Sequence, residues 1–254
     1  MITLFLGLAV FSTSAISAIV GMAGGLILKG VLIAFSPVAT AMVIHGFTQA
    51  IANGYRAFRL RHSIDWNALQ FYLRGAFLSL VIFSLVQWVP SSTGIYFGLG
   101  ILPFLSLFVP ASIRPDFARP RVAQVTGFFV NGTQLLAGVA GPLLDLAFVE
   151  TRYSKTEVVA TKAATQTVSH LMKLGSYSWI LAQSAKDADS LVQSAAMPEP
   201  WLLALCAGVS ILGTSAGARV LERLDERRFK SLGRFLVLGI GSVYLLLGAQ
   251  RIIH

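Results

Sequence analysis

Ten apolar runs fill this chain, and two of them are too short to cross a bilayer. They cover about residues 2–20, 26–35, 38–58, 69–89, 94–113, 122–137, 143–149, 158–181, 201–220 and 235–253. A helix needs about 20 residues to span the hydrocarbon at about 1.5 Å per residue. By that measure 38–58, 69–89, 94–113, 158–181, 201–220 and 235–253 read as complete spans, and 26–35 and 143–149 as half-helices. Composition agrees: 55% of the residues are hydrophobic and 12% are charged, whereas a soluble domain carries roughly a quarter charged residues. The expected fold class is an all-α polytopic membrane protein, with the lipid bilayer as its surroundings.

Each half-helix follows a glycine break, and the two breaks are copies. Gly21-Met22-Ala23-Gly24-Gly25-Leu26 recurs 117 residues later as Gly138-Val139-Ala140-Gly141-Pro142-Leu143. At the same offset Thr48-Gln49 returns as Thr165-Gln166. His45, Gln49, Asn53 and Arg56 therefore align without a gap on Lys162, Gln166, His170 and Lys173. Two structural repeats are expected, residues 1–117 and 118–254, within one integral membrane domain. Glycine-broken hydrophobic segments at matching positions of two halves point to the substrate site of a secondary transporter.

Loop charges give the expected orientation. The net charge of +9 does not imply nucleic acid, because Lys and Arg sit mainly in short connections between spans. Arg56, Arg59 and Arg61 follow one span, Arg114, Arg119 and Arg121 cluster in another connection, and six basic residues lie between Arg219 and Arg234. These loops are expected to be cytoplasmic. The uncharged turn 90–93 and the connection 183–199, with Lys186 against Asp187, Asp189 and Glu199, are expected to face outward. Span 38–58 then begins outside and span 158–181 runs in the opposite sense, so the halves are inverted. Each contributes a glycine-broken hairpin plus three transmembrane helices, and both termini lie outside. A second topology makes 2–20 a full span, which its length permits. No basic residue precedes Lys29, so 2–20 lacks a signal-peptide n-region and is expected to stay in the mature chain. Cys206 is the single cysteine and forms no internal disulfide.

Two groups of residues carry the chemistry. Glycines 21, 24, 25, 138 and 141 permit reversal and close approach, and Pro142 suits a first helical turn. A half-helix starting at mid-membrane aims free N–H groups and its positive dipole end inward, where they suit an anion. The polar stripe is the second group. His45, Gln49 and Asn53 are four apart, as are Lys162, Gln166 and His170, so each set lies on one helical face. Ionisable groups in hydrocarbon are costly and should face a cavity or a partner. Counted from the expected ends, Gln49 and Gln166 lie nearest mid-depth, while Arg56 and Lys173 either face inward or snorkel to the interface. Lys29 and Asp145 follow the two breaks and either contact substrate, form ion pairs or support the hairpins. Asn131 and Gln134 either line the cavity or tie helices together. Gly94/Gly98 and Gly213/Gly217 read as helix-packing pairs. No Walker, HExxH or Cys/His metal pattern occurs, so no metal, no cofactor and no ATP-driven step is expected. Asp145 and His170 are the candidate proton acceptors.

With GMAGGLIL and GVAGPLLD near the start of two homologous halves in a small chain, the sequence resembles the sulfite exporter, or TauE/SafE, family of membrane transporters over nearly its whole length. The resemblance implies export, or sometimes uptake, of sulfite, thiosulfate or an organosulfonate such as sulfoacetate across the bacterial inner membrane; the inverted repeats would let one site near the midplane face the two sides alternately, and export by alternating access is the expected mode. Sulfur specificity comes from the resemblance alone. The residues themselves suit a small oxyanion held by the two half-helix starts, Gln49, Gln166 and Lys162, with His45 or His170. A carboxylate would satisfy the same donors. An intramembrane enzyme using Asp145 and His170, and a passive anion channel, are the rival classes. The oligomeric state, a homo-oligomer included, stays open.

Overall fold

The computed structural model describes residues 2–20, 23–86, 88–109, 114–185, 195–221 and 226–253. Gly21 and Met22 of the first break lie outside these residues, as do Lys186, Asp187 and Asp189 of the acidic connection. The side chains between Arg223 and Arg234 are likewise outside. The described residues form ten α-helices: α1 Ile2–Val20, α2 Ala23–Phe35, α3 Val38–Arg59, α4 Trp66–Val86, α5 Ser92–Phe108, α6 Pro120–Ala137, α7 Gly141–Phe148, α8 Lys155–Ser184, α9 Pro200–Leu221 and α10 Glu226–Ile253.

Three of them are long and apolar enough to cross a membrane by themselves: α4, Pro200–Val220 within α9, and Phe235–Ile252 within α10. Their outer faces expose Phe77, Leu85, Leu212 and Leu246, a surface suited to lipid and not to water. Six full spans were expected, and the difference has a physical cause. Helices α3 and α8 are 22 and 30 residues long, but their polar faces are buried against protein, so their stability does not rest on lipid-facing apolarity. The described α5 has 17 residues, and the last part of its apolar run lies outside the described residues.

Packing pairs distant parts of the chain. Helix α1 lies on α9, α6 on α4, α3 on α8 and α5 on α10, while α2 touches α10 and α7 touches α5. The α1–α9 and α4–α6 pairs run parallel. On α9, Gly213 faces the backbone of Phe11 and Gly217 that of Ala15, while on α4 Gly75 fits between Gln124 and Phe128 and on α6 Gly127 faces Tyr72, with Ala76 and Ser79 beside Asn131 further along. A Cβ at any of these four glycines would strike backbone, so the close contacts require glycine. The other two pairs run antiparallel. Gly46 of α3 lies beside His170 and Leu174 of α8, and Gly54 beside Thr167. Phe97 of α5 lies near Gly248, and Gly100 near Leu245.

Beyond α3, Asp65 locks the same pair at its end. Its backbone N–H donates to Thr161 Oγ1 at 3.0 Å, and its carboxylate accepts from Ala68 N at 2.9 Å and from Tyr153 OH at 2.5 Å. Burial, then the Asp65 carboxylate, pushes the Tyr153 phenol above its ordinary pKa. Helix α8 starts nearby with a capping box between Ser154 and Glu157, whose hydrogen bonds hold the exposed Glu157 carboxyl below its usual range.

Candidate functional site

Where α3 and α8 cross, a cavity of about 20 Å³ is enclosed by Ser17, Gly25, Gln49, Asn53, Gln134, Gln166, His170 and their neighbours. Three pairs in its wall are 117 positions apart: Ser17 with Gln134, Gln49 with Gln166, and Asn53 with His170. Gly25 and Gly141, from the first turns of α2 and α7, complete it. The N-cap residue of α7, Ala140, gives that helix no side-chain cap, so its first N–H groups and its positive dipole end face this region.

Hydrogen bonds around the cavity fix the direction of its polar groups. His45 Nε2 lies 2.9 Å from Gly25 O, and Lys173 Nζ lies 2.7 Å from His45 Nδ1. A carbonyl only accepts, so His45 carries its proton on Nε2 and takes the Lys173 N–H on Nδ1. Lys173 also donates to Gly138 O at 2.8 Å, and Gln134 Nε2 donates to the same oxygen at 2.9 Å. Both lone pairs of that carbonyl are thereby used. Gly138 presents it from the left-handed region, φ 81°, as the C-cap of α6, a conformation suited to glycine. Gln134 Nε2 further lies 2.8 Å from His170 Nδ1. The amide nitrogen is the donor there, which leaves the His170 proton on Nε2.

The cavity is therefore rich in donors. Gln49 Nε2 and Ser17 Oγ are buried with no protein partner, and the His170 Nε2–H adds a third. Positive charge stands immediately behind. Lys29 and Lys173 are fully buried, whereas no carboxylate is buried among the described residues. Lys29 Nζ meets only the Met42 thioether, 2.8 Å away, a weak acceptor. Two buried lysine amines with no buried acid among the described residues can keep their charge at low cost only where an anion offsets it.

The other expected site residues occupy different surroundings. Gly24 packs on α1, where a Cβ would strike Thr13 and Ser17, while Gly25 faces Gln49. Pro142 is buried at the start of α7 but does not line the cavity. Lys162 and Asp145 form an ion pair with each other at partly exposed positions, away from the cavity wall. Lys173, expected either to face inward or to snorkel, is buried and bonded to both halves. Ser17 is the residue that the sequence reading lacked, although subtracting 117 from Gln134 arrives at it. Asn131 ties α6 to α4 by donating to Ala76 O and Ser79 Oγ, both at 2.9 Å.

The model of the sulfite exporter TauE/SafE family matches residues 6–244. The chain belongs to the TauE/SafE family. No curated protein and no solved structure matches it. As a TauE/SafE member it is a membrane transporter of the sulfite exporter type.

Proposed function

We propose that this transporter carries a small sulfur-containing oxyanion, of the sulfite, thiosulfate or sulfoacetate kind, outward across the bacterial cytoplasmic membrane by alternating access. One observation carries the reading: a donor-lined cavity backed by two buried lysines, with no buried carboxylate among the described residues. The anion accepts from the amides of Gln49 and Gln166, the Ser17 hydroxyl and His170 Nε2–H. Its charge is balanced by Lys173 and Lys29 and by the first turns of α2 and α7.

Two inverted repeats, 1–117 and 118–254, form the carrier. In support, exchanging α1–α5 with α6–α10 leaves the packing pairs unchanged, and the self-paired helices, α3 with α8 and α5 with α10, are antiparallel. That relation gives one central site two equivalent routes, one to each side.

Purified protein in proteoliposomes tests the substrate. Saturable counterflow of sulfite, thiosulfate or sulfoacetate is expected, with the anion recovered unchanged. Faster counterflow of acetate or another carboxylate would reassign the substrate class, linear non-saturating flux would indicate a channel, and a chemically altered product would indicate an enzyme. Orientation is tested separately in a Cys206→Ser background. Cysteine at Arg59 should be shielded from an impermeant reagent in intact cells, and cysteine at Ser190 should react. Labelling of both from the same side would overturn the inversion.

A further inference from the structure

The outer wall of helices α6 and α7 holds a groove whose lining residues are not those of the central cavity. Helices α6 and α7 leave a groove of about 390 Å³, within the size range of ligand pockets, about 300 to 1,000 Å³. Its walls include Val122, Val125, Phe129, Leu143 and Leu146, with Arg121 at the end nearest the start of α6. The groove exists because α7 has eight residues against eighteen in α6; at about 1.5 Å per residue the shorter helix leaves part of its neighbour uncovered. Val125 and Phe129 are 55% and 57% exposed, so the groove opens away from the protein.

Arg121 differs from its neighbours. Arg114 pairs with Glu150 at 3.2 Å and Arg119 with Asp116 at 3.6 Å, whereas Arg121 is exposed and has no acidic partner among the described residues. An apolar groove with one free cation at its end matches an amphiphile with an acyl chain and an anionic head. In a membrane transporter, the hydrocarbon supplies that ligand directly. We propose that the groove binds one acyl chain of an anionic phospholipid whose phosphate group meets Arg121.

Native mass spectrometry of the purified protein with equal amounts of dioleoylphosphatidylglycerol and dioleoylphosphatidylcholine tests this. The wild type should retain one phosphatidylglycerol with about a fivefold preference, as expected for one basic residue at a membrane surface. Arg121→Gln should abolish the preference without lowering total retention, and Val125→Trp, which fills the groove, should lower retention of both lipids. Equal retention of the two lipids by the wild type, or an unchanged preference in Arg121→Gln, would overturn the headgroup assignment. Unchanged retention in Val125→Trp would overturn the groove. Water-soluble glycerol phosphate should not displace the lipid, and displacement would show that the anionic head binds without its chain. Lipid retention is read without flux, so failure of the transport reading leaves this result unaffected.

Discussion

His45 and Lys162 stand at the same place in the two halves, yet His45 is buried between Gly25 and Lys173 while Lys162 reaches a partly exposed Asp145. Their neighbours diverge as well. Lys173 is buried and joins both halves through His45 and Gly138, whereas a buried guanidinium nitrogen of its counterpart Arg56 has no hydrogen-bond partner. The glutamines Gln49 and Gln166 face the cavity together. The stripe thus places glutamines from both helices at the cavity, while the lysine that bonds across it, Lys173, comes from α8.

The sharpest break in that comparison is Lys173→Met. It removes a fixed charge and two charge-assisted hydrogen bonds, each worth about 1.5 to 3 kcal/mol, so counterflow should fall by about a hundredfold or more. Lys162→Met removes a partly exposed ion pair, for which about 1 kcal/mol or less is expected, and counterflow should change by less than about tenfold. The reverse order would move the functional charge to Lys162. Next in size, Gln49→Leu and Gln166→Leu should each weaken substrate binding by about ten- to hundredfold, measured on purified protein. If both instead keep wild-type affinity and lose only thermal stability, the glutamines join helices and the symmetric donors are elsewhere.

Gly138→Ala should show a smaller effect, mainly on stability. Its φ of 81° costs a side chain about 1 to 2 kcal/mol, and the added methyl would crowd Met42 and the Lys29 stem. A lowered unfolding temperature is expected, together with weaker transport because the Lys173 acceptor shifts. Gly98→Ala, whose Cβ would lie 3.2 Å from that of Ala137, should be tolerated better. Equal unfolding temperatures for the two variants would remove the special role given to Gly138. The smallest change is expected for Asp145→Asn, a surface-type ion-pair loss of about 1 kcal/mol or less in thermal unfolding.

Much of the architecture is legible because glycine placement and hydropathy act locally. The short α2 and α7 follow from the breaks before Leu26 and Leu143, and the four-residue spacing of His45, Gln49 and Asn53 follows from helical geometry. Depth is less legible. Helix α8 extends past its apolar run at both ends, and Lys173 sits eleven residues before its end at Ser184, so counting from hydrophobic boundaries brings Lys173 too near an interface. Pairing is not local either. Nothing along the chain indicates that Lys162 turns to Asp145 while Lys173 turns to His45, because both choices depend on how α7 and α8 dock. Ser17 escapes notice for a different reason: a single hydroxyl in an apolar helix gives no periodic signal until its counterpart is known.

The volume of the central cavity has a consequence for every affinity measured on this protein. About 20 Å³ holds a single water and no sulfur oxyanion, so the proposed ligand would have to select a wider member of the ensemble. The observed dissociation constant is then the intrinsic one divided by the fraction of molecules already in that wider form. A Cβ added at Gly46 would lie 3.3 Å from His170 O, Leu174 N and Lys173 Cε of α8. A methyl added there would touch no ligand, yet by disfavouring the narrow form it would raise the competent fraction and tighten binding from a distance.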